Sequence, residues 1–442
     1  MNTDSSWEDA PEVAGNGLLD RRLFFGRALG ALSLLHAAPL MAATRPPEPW
    51  MRVPGAPFRN YGTPSPHEAS LVRWISAPPD IPQNGVSWTP LHELDGMLTP
   101  SGLHFERHHN GVPAIDPAQH TLVIHGRVQR PLTFDVSALR RYPRISRVLA
   151  IECGGNSNAG WNPQPIQTAA GYFHGLVSCS EWTGVPLSLL LEEAGLQSDA
   201  RWCVAEGADA FGMTVSLPRE KLLDDCFLAL FQNGEPIRPE QGYPLRLIVP
   251  GWEGVTHVKW LRSLEATDTP VMARNETARY TELQPDGRAR MFTFRMPVKS
   301  LLTLPSAGMR LPAPGVYELS GLAWTGHGRI VRVEVSADGG QSWADAALND
   351  PILPCAFTRF RIPWRWRGDP AVLQSRAIDE AGERQPTRPD LIAARGRHGY
   401  FHYNAIVSWQ VDADGTVSHV YPDTGHADAP VGTVDPMEAP WE

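Results

Sequence analysis

VLAIECGGNSNAGWNP, residues 148–163, carries an apolar run straight into a single cysteine, Cys153, and then into a Gly-Gly-Asn turn. Short, hydrophobic and bounded by turn residues, its first half reads as a buried strand. The glycines that follow let backbone or ligand come close. A thiol so placed stands at the mouth of a core. Taken alone, the stretch fits an inert buried cysteine at least as well, because free cysteine is among the most buried residue types. Its meaning depends on the rest of the chain.

At 442 residues the chain exceeds one ordinary core, which predicts two domains and a processed N-terminus. The formal net charge of -9, with no lysine- or arginine-rich run, argues against a nucleic-acid partner. Forty-two prolines and 39 glycines without a short repeat point to a loop-rich α+β or all-β protein. Five cysteines at wide spacing (Cys153, Cys179, Cys203, Cys226, Cys355) make neither a disulfide framework nor a structural zinc pattern. With no Cys-x-x-Cys-His, the chain attaches no c-type haem, so redox chemistry here needs a separate electron acceptor.

Leu18 to Ala43 reads as a targeting segment: Arg21-Arg22, then Leu23-Phe24-Phe25, then a modestly apolar stretch ending in small residues. It resembles a twin-arginine export signal, which implies a periplasmic protein exported already folded. No other stretch is long and apolar enough to span a bilayer. Prolines 46, 47, 49, 54, 57, 64 and 66 predict an extended arm over 44–102. A catalytic domain is expected over 103–285, a sandwich over 286–421 and a flexible tail over 422–442. The boundary is marked by Gln284-Pro285-Asp286-Gly287, and the sandwich by Val331, Val333 and Val335 alternating with Arg332 and Glu334, by Phe360 and Ile362, and by the hairpin signal Asp338-Gly339-Gly340.

Four further stretches concentrate chemistry. Arg107, His108 and His109 fall in a loop-like segment, where such groups act. Leu187, Leu190, Leu191 and Ala194 lie on one face of a helix closed by Gly195, and read as core. Asp209 follows a short apolar strand, where it can accept hydrogen bonds from a ligand or shape a turn. Arg246, His257 and Lys259 together suit a phosphate clamp.

In order and spacing, Arg107-His108-His109 with Val112-Pro113, Glu152-Cys153-Gly154-Gly155-Asn156, Tyr243-Pro244-Leu245-Arg246 and His257-Val258-Lys259-Trp260-Leu261 resemble the sulfite oxidase family of molybdenum enzymes. The resemblance runs from about Leu103 to Val411. Its sulfane dehydrogenase branch shares Glu181-Trp182-Thr183-Gly184-Val185-Pro186 and Ala205-Glu206-Gly207-Ala208-Asp209. The resemblance implies an α+β, sulfite-oxidase-like molybdopterin-binding domain followed by an immunoglobulin-like β-sandwich dimerisation domain. It further implies Cys153 as the metal ligand of molybdenum-molybdopterin, and His108, His109, Asp209, Gln241, Arg246, His257, Val258 and Lys259 as cofactor-binding. Arg107, Tyr280 and Arg329 take catalytic positions.

Members that oxidise free sulfite carry arginines after the Gly-Asn of the cysteine loop, whereas this chain has Ser157 and Asn158. The loss of charge favours sulfur held on a carrier protein, oxidised with electrons passed to a c-type cytochrome subunit by a homodimer. A sulfite dehydrogenase acting on free sulfite is the alternative. A cofactor-free binding scaffold is the reading from a different class, opposed by the persistence of the cysteine, the cations and the tyrosine.

Overall fold

The computed structural model describes residues 10–22, 48–396 and 399–422. The apolar part of the leader-like segment and nearly all of the expected C-terminal tail lie outside the described residues. Residues 52–70 are exposed throughout, in keeping with a proline-rich arm. From Trp74 the chain enters the globule. Trp74–Ser76, Gly85–Trp88 and Glu106–His108 form a small antiparallel sheet, and Gly85–Trp88 is buried at every position. Arg107 and His108, expected in a loop, therefore stand on an edge strand registered against Val86 and Gly85.

Two five-stranded sheets build the first domain. One runs in the order Thr214–Pro218, Trp202–Gly207, Leu261–Thr267, Thr121–Gly126, Leu132–Asp135, with the middle pair Leu261–Thr267 and Thr121–Gly126 parallel. The other orders Glu235–Pro236, Phe227–Gln232, Val177–Pro186 and Ile145–Glu152, with Arg246–Ile248 branching from Phe227–Gln232. Helix Leu187–Ala194 buries Leu187, Leu190, Leu191 and Ala194, and Gly195 at φ 71° closes it. That left-handed cap needs glycine, which has no Cβ to clash.

Glu282–Leu283 and Ala289–Arg290 pair across the expected boundary turn, and the sandwich follows. Its first sheet includes Lys299–Leu304, Gly315–Trp324 and Thr358–Trp366. Its second runs Ala344–Asp345, Ile330–Ser336, Ala371–Asp379, Ser408–Val411, Val417–Val420. Val333 and Val335 face inward as alternation predicts, but Val331 is 53% exposed because the register slips between Ile330 and Arg332. Glu334, expected outside, is buried and paired with Arg376.

The two domains share one core. Leu91, Ala170, Val177 and Cys179 of the first pack in the same hydrophobic cluster as Trp324, Phe357 and Trp409 of the second. Cys355 O also accepts the Ala150 N–H at 2.8 Å, joining the sandwich to the strand that delivers the cysteine. Buried apolar area shared this way fixes one domain against the other.

Close approach of strands makes one glycine indispensable. A Cβ on Gly184 would stand 1.9 Å from Leu228 O. Gly184→Ala is expected to cost about 2–3 kcal/mol, read as a lowered denaturation midpoint. Gly55→Ala, which meets nothing within 4 Å, serves as the unchanged control.

Candidate active site

Strand Ile145–Glu152 ends where the Gly-rich turn begins, and three bonds set the turn's shape. Cys153 N donates to Leu176 O at 2.9 Å, Asn156 N to Cys153 O at 2.9 Å, and His402 N to Gly154 O at 2.7 Å. Beneath it lies a buried ion pair. Lys299 Nζ, on a side chain 1% exposed, donates to Glu152 Oε1 at 3.2 Å and to Ser157 Oγ at 2.6 Å. Glu152 also accepts from Asn156 Nδ2 at 2.8 Å and from the Trp324 indole at 2.6 Å. Ser157 completes the network against His174 Nδ1 at 2.6 Å. Glu152, Asn156, Ser157 and Lys299 are thus all engaged with one another around the cysteine, which holds the loop in one conformation.

Cys153 opens into a cleft walled by residues of the first domain. Arg107, His108, His109, Asp209, Gln241, Arg246, His257, Val258, Lys259 and Tyr280 all line it. The sequence therefore located ten of its expected wall residues together with the thiol. Arg329 is not among them: its side chain is 53% exposed and ion-paired to Glu380 at 3.7 Å, because it sits on the solvent side where Ile330–Ser336 begins. Ser157 also turns away from the cleft, into the Lys299 network, and Asn158 is not among the lining residues either. Asn158 hydrogen-bonds the side chain of Tyr400, which lies over Gly155.

One wall is cationic and lacks counter-anions. Arg246 is 4% exposed, donates to Gln241 Oε1 at 3.1 Å and His257 O at 3.2 Å, and is pulled down to about 9 by burial. Lys259 Nζ donates to Arg107 O at 3.1 Å, Glu240 O at 3.1 Å and His108 Nδ1 at 2.9 Å, and desolvation lowers its pKa well below the usual value. Among the described residues no carboxylate lies within ion-pair distance of either. Buried cations held by neutral groups, with Asp209 and Glu240 acting on Lys259 only at longer range, are costly, so this wall suits an anion. The buried His109 Nε2, with no hydrogen-bond partner, adds an unsatisfied polar atom to the same wall.

The histidines differ in what they offer. His108 accepts from Lys259 at Nδ1 and meets Glu106 Oε2 through Nε2 at 2.7 Å. His257 uses both ring nitrogens on backbone, Nδ1 accepting from Val249 N at 3.3 Å and Nε2 donating to Trp252 O at 3.1 Å. It braces the wall and leaves no ring nitrogen for a phosphate. Burial, followed by the neighbouring cations, holds His108 and His109 down at about 2 and His257 at about 3. Tyr280 is raised above its ordinary value by desolvation, with Cys153 adding to the rise and Arg107 opposing it, so its hydroxyl keeps its proton. Burial also raises the Cys153 thiol, and nearby Arg107 offsets part of this.

Sequence reasoning missed Lys299, His174, His402, Glu253 and Tyr400. Glu253 meets His402 Nε2 at 3.1 Å behind Gly154, with burial raising its carboxyl. Only Lys299 left a readable trace, as the one charge in the strand Lys299–Leu304.

Two measurements test this construction. Lys299→Met leaves Glu152 buried and unpaired and is expected to cost about 3–5 kcal/mol, while the double variant with Glu152→Gln recovers much of that loss. Denaturation curves that rank the double variant below the single one would overturn the coupling. For pH, the unfolded histidines at 6.5 take up protons that folded His108 and His109 refuse. Their stabilising contribution is complete above pH 6.5 and is lost as pH falls, by about 2 kcal/mol each at pH 5. His109→Gln is expected to shrink the pH 7 to pH 5 stability drop of cofactor-free protein by that amount, and an unchanged drop would contradict the assignment.

Residues 109–274 match the Oxidoreductase molybdopterin binding domain and residues 290–408 the Mo-co oxidoreductase dimerisation domain. The crystal structure of the sulfane dehydrogenase SoxCD from Paracoccus pantotrophus superposes with a TM-score of 0.82 at 43% identity, covering 85% of this chain and 97% of that one. Among curated proteins, sulfite oxidase of Gallus gallus is 32% identical over 280 residues, 58% of this chain and 60% of its own. Nitrate reductase [NAD(P)H] of Hordeum vulgare is 28% identical over 372 residues, 73% of this chain and 41% of its own. The chain thus spans about half the length of the curated relatives it matches. In the cleft, a thiol faces buried cations that lack an anion and a histidine nitrogen that lacks a partner, a donor set that fits an anionic pterin carrying a metal. With its α+β domain, its sandwich and its molybdopterin cofactor, the chain belongs to the sulfite oxidase family of molybdopterin oxidoreductases.

Proposed function

We propose that this chain oxidises sulfane sulfur carried on a partner protein and passes the electrons to a c-type cytochrome. It works as a homodimer after export, already folded, by a twin-arginine route to the periplasm. The reading is carried by one observation: among the described residues, the buried cations Arg246 and Lys259 in the cleft of Cys153 form no ion pair, while Asn158, bonded to Tyr400, stands where sulfite-oxidising members are expected to carry an arginine. Similarity to the sulfane dehydrogenase SoxCD supports the substrate class, and the matched dimerisation domain supports the homodimer. Among the described residues no helix is long and apolar enough to cross a membrane.

Cys153 is the protein ligand of the metal. Molybdenum, when bound, supplies oxygen-atom transfer and accepts the two electrons. Arg246 would hold the cofactor's phosphate, with Lys259, whose three donors go to Arg107 O, Glu240 O and His108 Nδ1, adding charge, Gln241 fixing Arg246, and Asp209, His109 and Val258 lining the cleft beside it. His108 keeps Lys259 in place, and His257 braces Arg246 through its backbone carbonyl. Arg107, fixed by Asn84 Oδ1 and His109 Nδ1 at 3.0 Å each, orients an anionic sulfur group. Tyr280, held protonated in the cleft beside Cys153, would offer a hydrogen-bond donor to the bound substrate. Because the loop presents Asn158, a free dianion gains less from ionic capture, and docking of a carrier takes over the positioning.

Cys153→Ser is expected to leave the fold intact and to abolish both molybdenum content and turnover. With one cytochrome acceptor, kcat/KM is expected to be higher for carrier-bound sulfane sulfur than for free sulfite, and the reverse order would favour a sulfite dehydrogenase. Asn158→Arg adds one charged hydrogen bond and should lower KM for sulfite by about tenfold. Protein that holds no molybdenum after expression in a cofactor-producing host would favour a binding scaffold.

A further inference from the structure

The residues ahead of the arginine pair are built into the sandwich. Glu12–Ala14 and Leu18–Leu19 form a hairpin on the edge of Thr358–Trp366, with Leu18 opposite Trp364. Leu18 and Leu19 are 0% exposed, and Leu18 belongs to the sandwich core. The Trp364 indole donates to Asn16 O at 2.8 Å, Arg365 N to Gly17 O at 2.8 Å, Asn16 Nδ2 to Ala337 O at 2.8 Å, and Gly15 N to Ser342 Oγ at 2.6 Å. Gly17 has φ +90°, and a Cβ there would stand 2.0 Å from Arg365 O. The segment therefore fits this edge in detail, at backbone and side chain alike.

We propose that residues 10–20 are a clasp that closes only on a folded sandwich and that withholds the twin-arginine motif from an export receptor. The proposal rests on the reading of Leu18 to Ala43 as a leader. Fold dependence follows from where the contacts come from. Ala337, Ser342 and Ala346 belong to one part of the sandwich and Trp364 and Arg365 to another, so the groove exists only after the two have come together. Withholding rests on Arg21, which is half-buried, while Arg22 beside it is exposed and tied through its backbone N–H to Asp20 Oδ1 at 2.8 Å. Arg21 Nη1 donates to Ala346 O at 2.8 Å, and both arginines line a polar recess with Asp20, Arg332, Trp343 and Asp345. A receptor that reads the pair must strip Arg21 from Ala346 and work against the two buried leucines beside it. The strand also covers a sheet edge that would otherwise offer unpaired backbone groups to other chains.

The test uses the full-length precursor. In the native wild type, trypsin should cut after Arg21 and Arg22 far more slowly than in Gly17→Val, which opens the clasp and leaves every sandwich residue unchanged. The expected acceleration is about tenfold or more, because cleavage tracks the open population. Asn16→Ala should give a smaller acceleration in the same direction. Equal cleavage rates in wild type and Gly17→Val, with thermal unfolding of the sandwich unchanged, would overturn the clasp. Export is read separately, by the rate at which precursor leaves the cytoplasm. Replacing Arg21 and Arg22 by lysine should stop export; if it does not, the leader reading fails while the clasp stands. Gly17→Val should speed export about two- to threefold, and a rate unchanged or lowered would overturn the withholding.

Discussion

The ion pair between Glu152 and Lys299 is the constraint on which the cysteine loop depends. Two charges removed from water in this way contribute little net stability, since desolvation offsets most of their attraction. What they do contribute is uniqueness. Glu152 has its acceptors filled from three directions, by Lys299, Asn156 and Trp324, and Lys299 reaches on to Ser157. Glu152 and Ser157 bracket Cys153, so the thiol is held at both ends by a lysine that belongs to the other domain. The sandwich is for this reason more than a means of association, because it fixes the geometry of a loop it does not contain.

The opposite condition holds across the cleft. Arg246 and Lys259 are buried among carbonyls and rings, with Arg246 over Trp182 at 5.1 Å and Lys259 over Trp260 at 4.5 Å. Neutral acceptors and π faces soften their burial without neutralising it. The protein keeps this wall under electrostatic tension, and His108 and His109 stay uncharged beside it because a further positive charge there would be prohibitive. One side of the site is saturated and rigid and the other is left wanting an anion. That asymmetry defines where a cofactor sits more sharply than shape alone.

Much of this was legible in the chain because the wall is assembled from short local motifs. Tyr243 to Arg246 and His257 to Lys259 come from adjacent strands and turns, so their linear spacing survives folding. Helix Leu187–Ala194 announced its buried face by period and its end by Gly195. The failures lie where long-range packing decides. Arg329 follows Gly326-His327-Gly328, but a register slip and the neighbouring Glu380 keep it in solvent. Ser157 sits next to a catalytic turn, yet with φ 63° its side chain points into the Lys299 network. Nothing local in either stretch encodes a partner more than fifty or a hundred residues away. The hairpin around Leu18 was hidden for a related reason, since its leucines read equally well as the opening of an apolar leader.

The His402 N–H bond to Gly154 O has a consequence for the timing of biosynthesis. The cysteine turn is emitted from the ribosome long before the segments that shape it: Lys299 and Trp324 follow by some 150 residues and His402 by nearly 250. Until the last of these emerges, the turn has its thiol but not its clamp, and the cationic wall stands opposite an unformed floor. A nascent chain still on the ribosome thus carries the cysteine before the turn that shapes it has closed. The cysteine turn reaches its final shape only once the C-terminal part of the sandwich has emerged, so a chain truncated before His402 lacks the bond that closes Gly154.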